Sequence, residues 1–162
     1  MVRTVWLWAL CAVGCAAPFQ AGVFQKDGTR YYVGDAPEGW TRQGFADNDL
    51  AFVSPDDLHT LAVNATCDGY QDASLEVLMH HLLMGFTQTQ QLEQRRAPMD
   101  GRERLFGHYL ARLDGVPVEL GLAVLKKDGC IYDFTYVSPP GRYAEAAPAL
   151  AHLLASFKTE GR

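Results

Sequence analysis

The sequence predicts an α+β domain, an antiparallel β-sheet with two main helices packed on it, and three observations carry that prediction. Asp114-Gly115 and Asp128-Gly129 each join two long segments of strand-like alternation, the mark of two-residue hairpin turns. Downstream of Asp72 the apolar period changes: Leu75, Leu78, Met79, Leu82, Leu83 and Phe86 fall on one stripe of a helix. Beyond the break at Ser138-Pro139-Pro140-Gly141, helical spacing returns at Leu150, Leu153, Leu154 and Phe157. Strands, helix, strands, helix is the order of an α+β fold, in which a sheet buries its apolar face under helices.

The elements follow in chain order. Residues 19–25 and 29–33 are short apolar or β-branched runs around Lys26-Asp27-Gly28, a hairpin signal. Residues 34–39, with Pro37 among them, read as loop. Residues 40–46 and 50–54 read as strands around the polar turn Asp47-Asn48-Asp49. Over residues 59–67 Leu61, Val63, Ala65 and Cys67 share one face while Thr60, Asn64 and Thr66 share the other, as in a half-buried strand. Ser74 or Asp72 can cap the helix that follows, and Gly85 lies near its end. A two-residue rhythm returns over 89–97, and residues 103–113, 116–126 and 130–137 form an antiparallel meander. Pro148 falls near the start of the last helix, where a missing N–H costs least.

Composition sets the class. The 162 residues are 48% hydrophobic and carry 14 Lys plus Arg against 19 Asp plus Glu, a net charge of −5. This excludes intrinsic disorder and argues against a nucleic-acid partner, which calls for a basic face. One domain, residues 21–160, accounts for the mature chain. Before it, Arg3, an apolar run over 4–13 and small residues through Ala17 have the three parts of a secretory signal. The run is well short of the roughly 20 apolar residues a membrane span needs. Ala12-Val13-Gly14-Cys15 resembles the bacterial lipobox, departing from it at Ala12, where Leu is usual. On that reading residues 1–14 are a lipoprotein signal peptide, Cys15 is acylated, and residues 15–20 are a tether. Acyl chains contribute about 0.8 kcal/mol per buried methylene, enough for lasting attachment when several are present. Ala16 is not the Asp associated with inner-membrane retention, so the outer membrane, facing the periplasm, is the default destination. Ordinary cleavage after Ala16 or Ala17 is the alternative and leaves a soluble secreted domain.

Cys11 is lost with the signal and Cys15 is consumed by lipid, leaving Cys67 and Cys130, 63 positions apart. An oxidising compartment favours one disulfide between them; two buried free thiols are the alternative. No CxxC or second pair suggests zinc or redox chemistry.

The order of elements, the helix beginning near Leu75, the hairpins leading into Gly129-Cys130-Ile131-Tyr132-Asp133-Phe134-Thr135-Tyr136, and the closing Leu153-Leu154-Ala155-Ser156-Phe157-Lys158 resemble the PsbP-like superfamily. That superfamily includes photosystem extrinsic subunits, a Ran-binding nuclear import factor and bacterial envelope lipoproteins. The resemblance covers residues 20–160. It implies an α/β/α sandwich and a non-enzymatic binding or assembly module, and it carries over no functional residue.

Catalytic signatures are missing from the sequence. No GxSxG surrounds Ser54, Ser74, Ser138 or Ser156, and no GxxxxGK, GxGxxG or HExxH occurs. The expectation is therefore no enzyme and no cofactor. Three constellations remain. Asp72, Glu76 and His80, beside His81, recur at helical spacing as half a metal site or, more simply, a solvated face. Arg95, Arg96, Arg102 and Arg104 form a basic cluster that can meet lipid phosphates or an acidic partner, or merely pair with Glu93, Asp100 and Glu103. Tyr132, Phe134 and Tyr136 alternate on one strand face, lining a ligand groove or forming core beneath a helix. Trp40, His59 and His108 have less context, and the default for the histidines is structural. The expected function is a membrane-anchored periplasmic lipoprotein serving as a non-catalytic binding or assembly module for an envelope protein. The alternative is an accessory or carrier protein for an envelope lipid or other apolar ligand.

Overall fold

Two antiparallel sheets and two helices make up the computed structural model, which describes residues 19–26, 29–45, 48–67 and 72–160. The signal segment 1–14, Cys15 and the Asp27-Gly28 turn lie outside the described residues. The strands are β1 (Phe19–Gln20), β2 (Val23–Lys26), β3 (Thr29–Tyr32), β4 (Thr41–Gln43), β5 (Leu50–Val53), β6 (Thr60–Thr66), β7 (Phe86–Met99), β8 (Arg102–Leu113), β9 (Val116–Lys127), β10 (Cys130–Ser138) and β11 (Lys158–Thr159). Helix α1 (Leu75–Leu82) precedes β7, and α2 (Tyr143–Ser156) follows β10.

The large sheet runs β4-β5-β6-β10-β9-β8-β7, and the small one β1-β2-β3-β11. Asp114-Gly115 and Asp128-Gly129 form the expected turns, with φ of 50° and 82°, and of 52° and 77°. Asp100-Gly101, at 46° and 74°, is a third such turn, joining β7 to β8.

Each face of the large sheet is covered. On one, Phe106, Leu125, Tyr132, Phe134 and Tyr136 share a core with Leu150, Leu153, Leu154 and Phe157 around α2 and with Phe24, Tyr31 and Val33 around the small sheet. On the other, Leu105, Tyr109, Leu120, Leu122, Val124 and Ile131 pack beneath Leu78 and Met79 of α1. Double coverage explains why β9 is an almost unbroken apolar run. It also decides the aromatic row. Tyr132, Phe134 and Tyr136 are at most 2% exposed, and Phe157 meets the rings of Tyr132 and Phe134 at 5.0 Å. This correction removes them as a ligand or partner face: the Phe157 ring occupies the space a ligand would need.

Several boundaries differ from the sequence reading. The first strand is split at Ala21-Gly22, where φ is 50° and 75° and the Gly22 carbonyl accepts from Val33 N–H at 2.9 Å. The expected strand at 40–46 shortens to β4, an exposed edge. Phe86 opens β7 rather than extending α1, whose C-cap is Leu83. Helix α2 begins at Tyr143, so Pro148 sits inside it. An internal proline costs about 3 kcal/mol. Burial of Leu150, Leu153 and Leu154 on the sheet offsets that cost and holds the helix together.

Cys67 and Cys130 form a disulfide that ties the end of β6 to the start of β10. The Thr29 hydroxyl lies 2.9 Å from Cys67 Sγ.

Candidate functional site

Strands β7 and β8 project along one side of α2, and their register sets what faces the helix. Glu93 is opposite His108, Arg95 opposite Phe106, and Ala97 opposite Arg104. The helix presents Ala147, Ala151 and Ala155 at four-residue spacing, flanked by Leu150 and Leu154. Those small residues leave a cleft of about 380 Å³ between α2 and the two strands.

Charge in the cleft is unevenly matched. Arg95 Nε is 2.7 Å from Glu93 Oε1, and the Arg95 guanidinium lies 4.8 Å from the Phe106 ring centroid. Arg104 differs: its Nε and Nη1 are buried and have no hydrogen-bond partner. Burial lowers its pKa from the usual guanidinium value, and the neighbouring Arg95 charge lowers it further.

At the opposite end of the cleft, the charged side chains are paired. His108 Nε2 lies 2.8 Å from Glu119 Oε1, and Glu119 Oε2 accepts the Gly141 N–H at 2.7 Å. A carboxylate only accepts, so Nε2 carries a proton. The His108 ring stacks on Tyr143 at 4.0 Å, and burial pushes the Tyr143 hydroxyl up to about 12.

A second polar cluster lies at the start of α2. His59 is buried, with Nδ1 2.9 Å from Tyr136 Oη. Tyr136 donates its one proton to the Tyr143 carbonyl at 3.0 Å, so His59 Nδ1 must donate to Tyr136 Oη. His59 Nε2 then faces Glu145 Oε2 at 3.6 Å. Ligand atoms of Asp56, His59 and Glu145 lie within 4.8 Å of one another, the spacing of a possible metal site. Arg142 already serves as the cation there, 2.6 Å from Glu145 and 3.6 Å from Asp56. The Arg142 hydrogen bonds hold the Glu145 carboxyl below the usual range, and the Ser54 hydroxyl does the same for Asp56. A wider cleft of about 470 Å³ lies beyond this cluster, between Trp40 and the outer side of α2 near Pro148 and His152.

The predicted site residues therefore separate. Arg95 and Arg104 come together on the α2 cleft. Arg96 instead makes ion pairs with Glu76 and Glu103. Arg102 is exposed where β8 begins. The half-site of Asp72, Glu76 and His80 is exposed, and its Glu76 is committed to Arg96. Sequence reading did not single out Glu119, Tyr143 or Glu145. A signal for Glu119 existed, as a lone acid in the apolar run of β9.

No protein-family model matches the chain, and no curated protein matches it in sequence. Solved structures do. Cyanobacterial PsbP (CyanoP) from Synechocystis sp. PCC 6803 superposes with a TM-score of 0.58 at 15% identity, over 94% of this chain and 98% of that one. LpqN, described as involved in cell envelope biogenesis of Mycobacterium tuberculosis, gives 0.57 at 11% identity, over 82% and 86%. The Saccharomyces cerevisiae Ran-binding protein Mog1p gives 0.51 at 14% identity, over 80% and 88%. With the large sheet held between α1 on one face and α2 with the small sheet on the other, the chain has the PsbP-like fold.

Proposed function

We propose that the protein is a bacterial envelope lipoprotein, anchored through Cys15 and facing the periplasm, whose domain binds a partner without catalysing a reaction. The observation that carries this reading is the preformed cleft between α2 and β7–β8. It is concave, and its histidine is engaged in a structural pair with Glu119. Its lining combines the polar groups of Glu93, Arg95, Arg104 and His108 with the apolar Phe106, Leu150 and Leu154, a mixture that binding sites use to fix a ligand's orientation. The likeness in fold to an envelope-biogenesis protein and to a Ran-binding protein supports a binding role in place of chemistry.

The geometry of the tether adds to this. Three residues lie between Cys15 and Phe19, so four Cα-to-Cα steps span at most about 14 Å. Phe19 packs on Phe52 of β5, with centroids 5.6 Å apart. From β5 to β8 there are four strand spacings, roughly 19 Å. The cleft thus lies toward the far edge of the sheet from Phe19.

The test is a non-reducing intact mass of the protein purified from its native envelope. A mass beginning at Cys15 with added acyl chains supports the anchor. A mass beginning at Ala17 or Pro18 without lipid refutes it and makes the protein a diffusible domain.

A further inference from the structure

Resting on the binding reading above, we infer that the cleft between α2 and β7–β8 takes a single-chain anionic amphiphile, its head on Arg104 and its alkyl chain along the alanine stripe of α2.

The anionic head follows from Arg104. The residue is partly buried, but its Nε and Nη1 are out of solvent and without a partner, and a guanidinium that stays protonated throughout the physiological range cannot relieve that cost by shedding charge. Only an acceptor can satisfy Nε and Nη1. As placed, neither nitrogen is met from the cleft, whose carboxylate, Glu93, has Oε1 engaged by Arg95. The contrast with Arg96 is direct: that side chain, on the adjoining strand, has both Glu76 and Glu103. Turning the long Arg104 side chain into the cleft gives up no hydrogen bond at Nε or Nη1 and gains charge-assisted ones to a carboxylate or phosphate. An anion there also relieves the repulsion from Arg95.

The chain follows from the walls. Ala147, Ala151 and Ala155 offer methyl groups and space, with Leu154 beside them and Phe106 opposite. At about 380 Å³ the cleft is near the small end of ligand sites, which suits one alkyl chain rather than the two of a phospholipid.

The experiment uses the mature chain with Cys15→Ala, which needs no detergent, and isothermal titration with dodecyl phosphate below its micelle concentration. One molecule is expected to bind per chain. Arg104→Gln is expected to weaken binding by about tenfold or more, while Arg96→Gln leaves it unchanged. Ala151→Trp, which fills the cleft and leaves every charge in place, is expected to abolish it. Urea midpoints show that each variant is folded. Inorganic phosphate and the uncharged dodecyl maltoside are each expected to bind at least about tenfold more weakly. Equal binding of dodecyl maltoside would overturn the anionic head. Equal binding of inorganic phosphate would overturn the chain. No binding of dodecyl phosphate, or full binding by Arg104→Gln, would overturn the inference outright, and none of these results bears on the Cys15 anchor.

Discussion

Replacing Asp133 by Asn is expected to stabilise the protein at neutral and alkaline pH and to flatten its pH dependence. Asp133 lies in β10 opposite Asn64 and Val124, on the sheet face covered by α1. Burial pushes its carboxyl from 3.8 up to about 7. Between those values the unfolded chain has released a proton that the folded chain still holds. Stability therefore falls as pH rises through this window and levels off above it. Raising the carboxyl from 3.8 to about 7 corresponds to about 4 kcal/mol, the upper limit of what the uncharged isostere can recover. Urea denaturation with the disulfide intact, near pH 4 and near pH 8, measures it. The Asp133→Asn variant should gain most near pH 8 and almost nothing near pH 4. A difference that is the same at both pH values, or a less stable variant near pH 8, would refute the reasoning that desolvation governs this carboxyl.

Two further substitutions probe the seat of α2. A Cβ at Gly121 would stand 2.5 Å from Tyr143 Oη and 2.8 Å from Leu150 Cδ2, so Gly121→Val should lift the helix and cost about 1–3 kcal/mol in a urea titration. An unchanged midpoint would mean that α2 is not seated against β9 as described. Tyr136→Phe removes the hydroxyl that accepts from His59 and donates to Tyr143, and should cost about 1–3 kcal/mol. Nitrogen NMR of His59 should show its Nδ1 proton bonded in the parent and altered in the variant; no change would place that proton elsewhere.

The long hairpins were legible because Asp-Gly turns and period-two alternation are local signals, and α1 and α2 because their apolar stripes are. Elements shorter than a period were not. Strand β11 has two residues and exists because β3 pairs with it. Alternation also says which side chains share a face without saying which face is wet. Tyr132, Phe134 and Tyr136 do share one, and the small sheet and Phe157 bury it. The arginine cluster was visible as composition, but its division was not. Strand pairing sends Arg95 and Arg104 to the α2 side, whereas Arg96 points to Glu76 of α1. Glu119 and Tyr143 escaped notice because their partners come from remote segments: Glu119 meets Gly141 across 22 positions, and Tyr143 of α2 stacks on His108 of β8. Glu145 pairs locally with Arg142, and only its approach to His59 is remote.

The Cys67–Cys130 bond closes a covalent ring through α1, β7, β8 and β9. The ring contains β7, the long edge strand whose residues are mostly exposed, and the exposed turn at Asp114-Gly115. A single cut there creates new ends but no fragments: both pieces stay on one molecule, still paired along β8, β9 and β10. Such a ring turns an exposed stretch of chain into one that can be severed without loss of the domain.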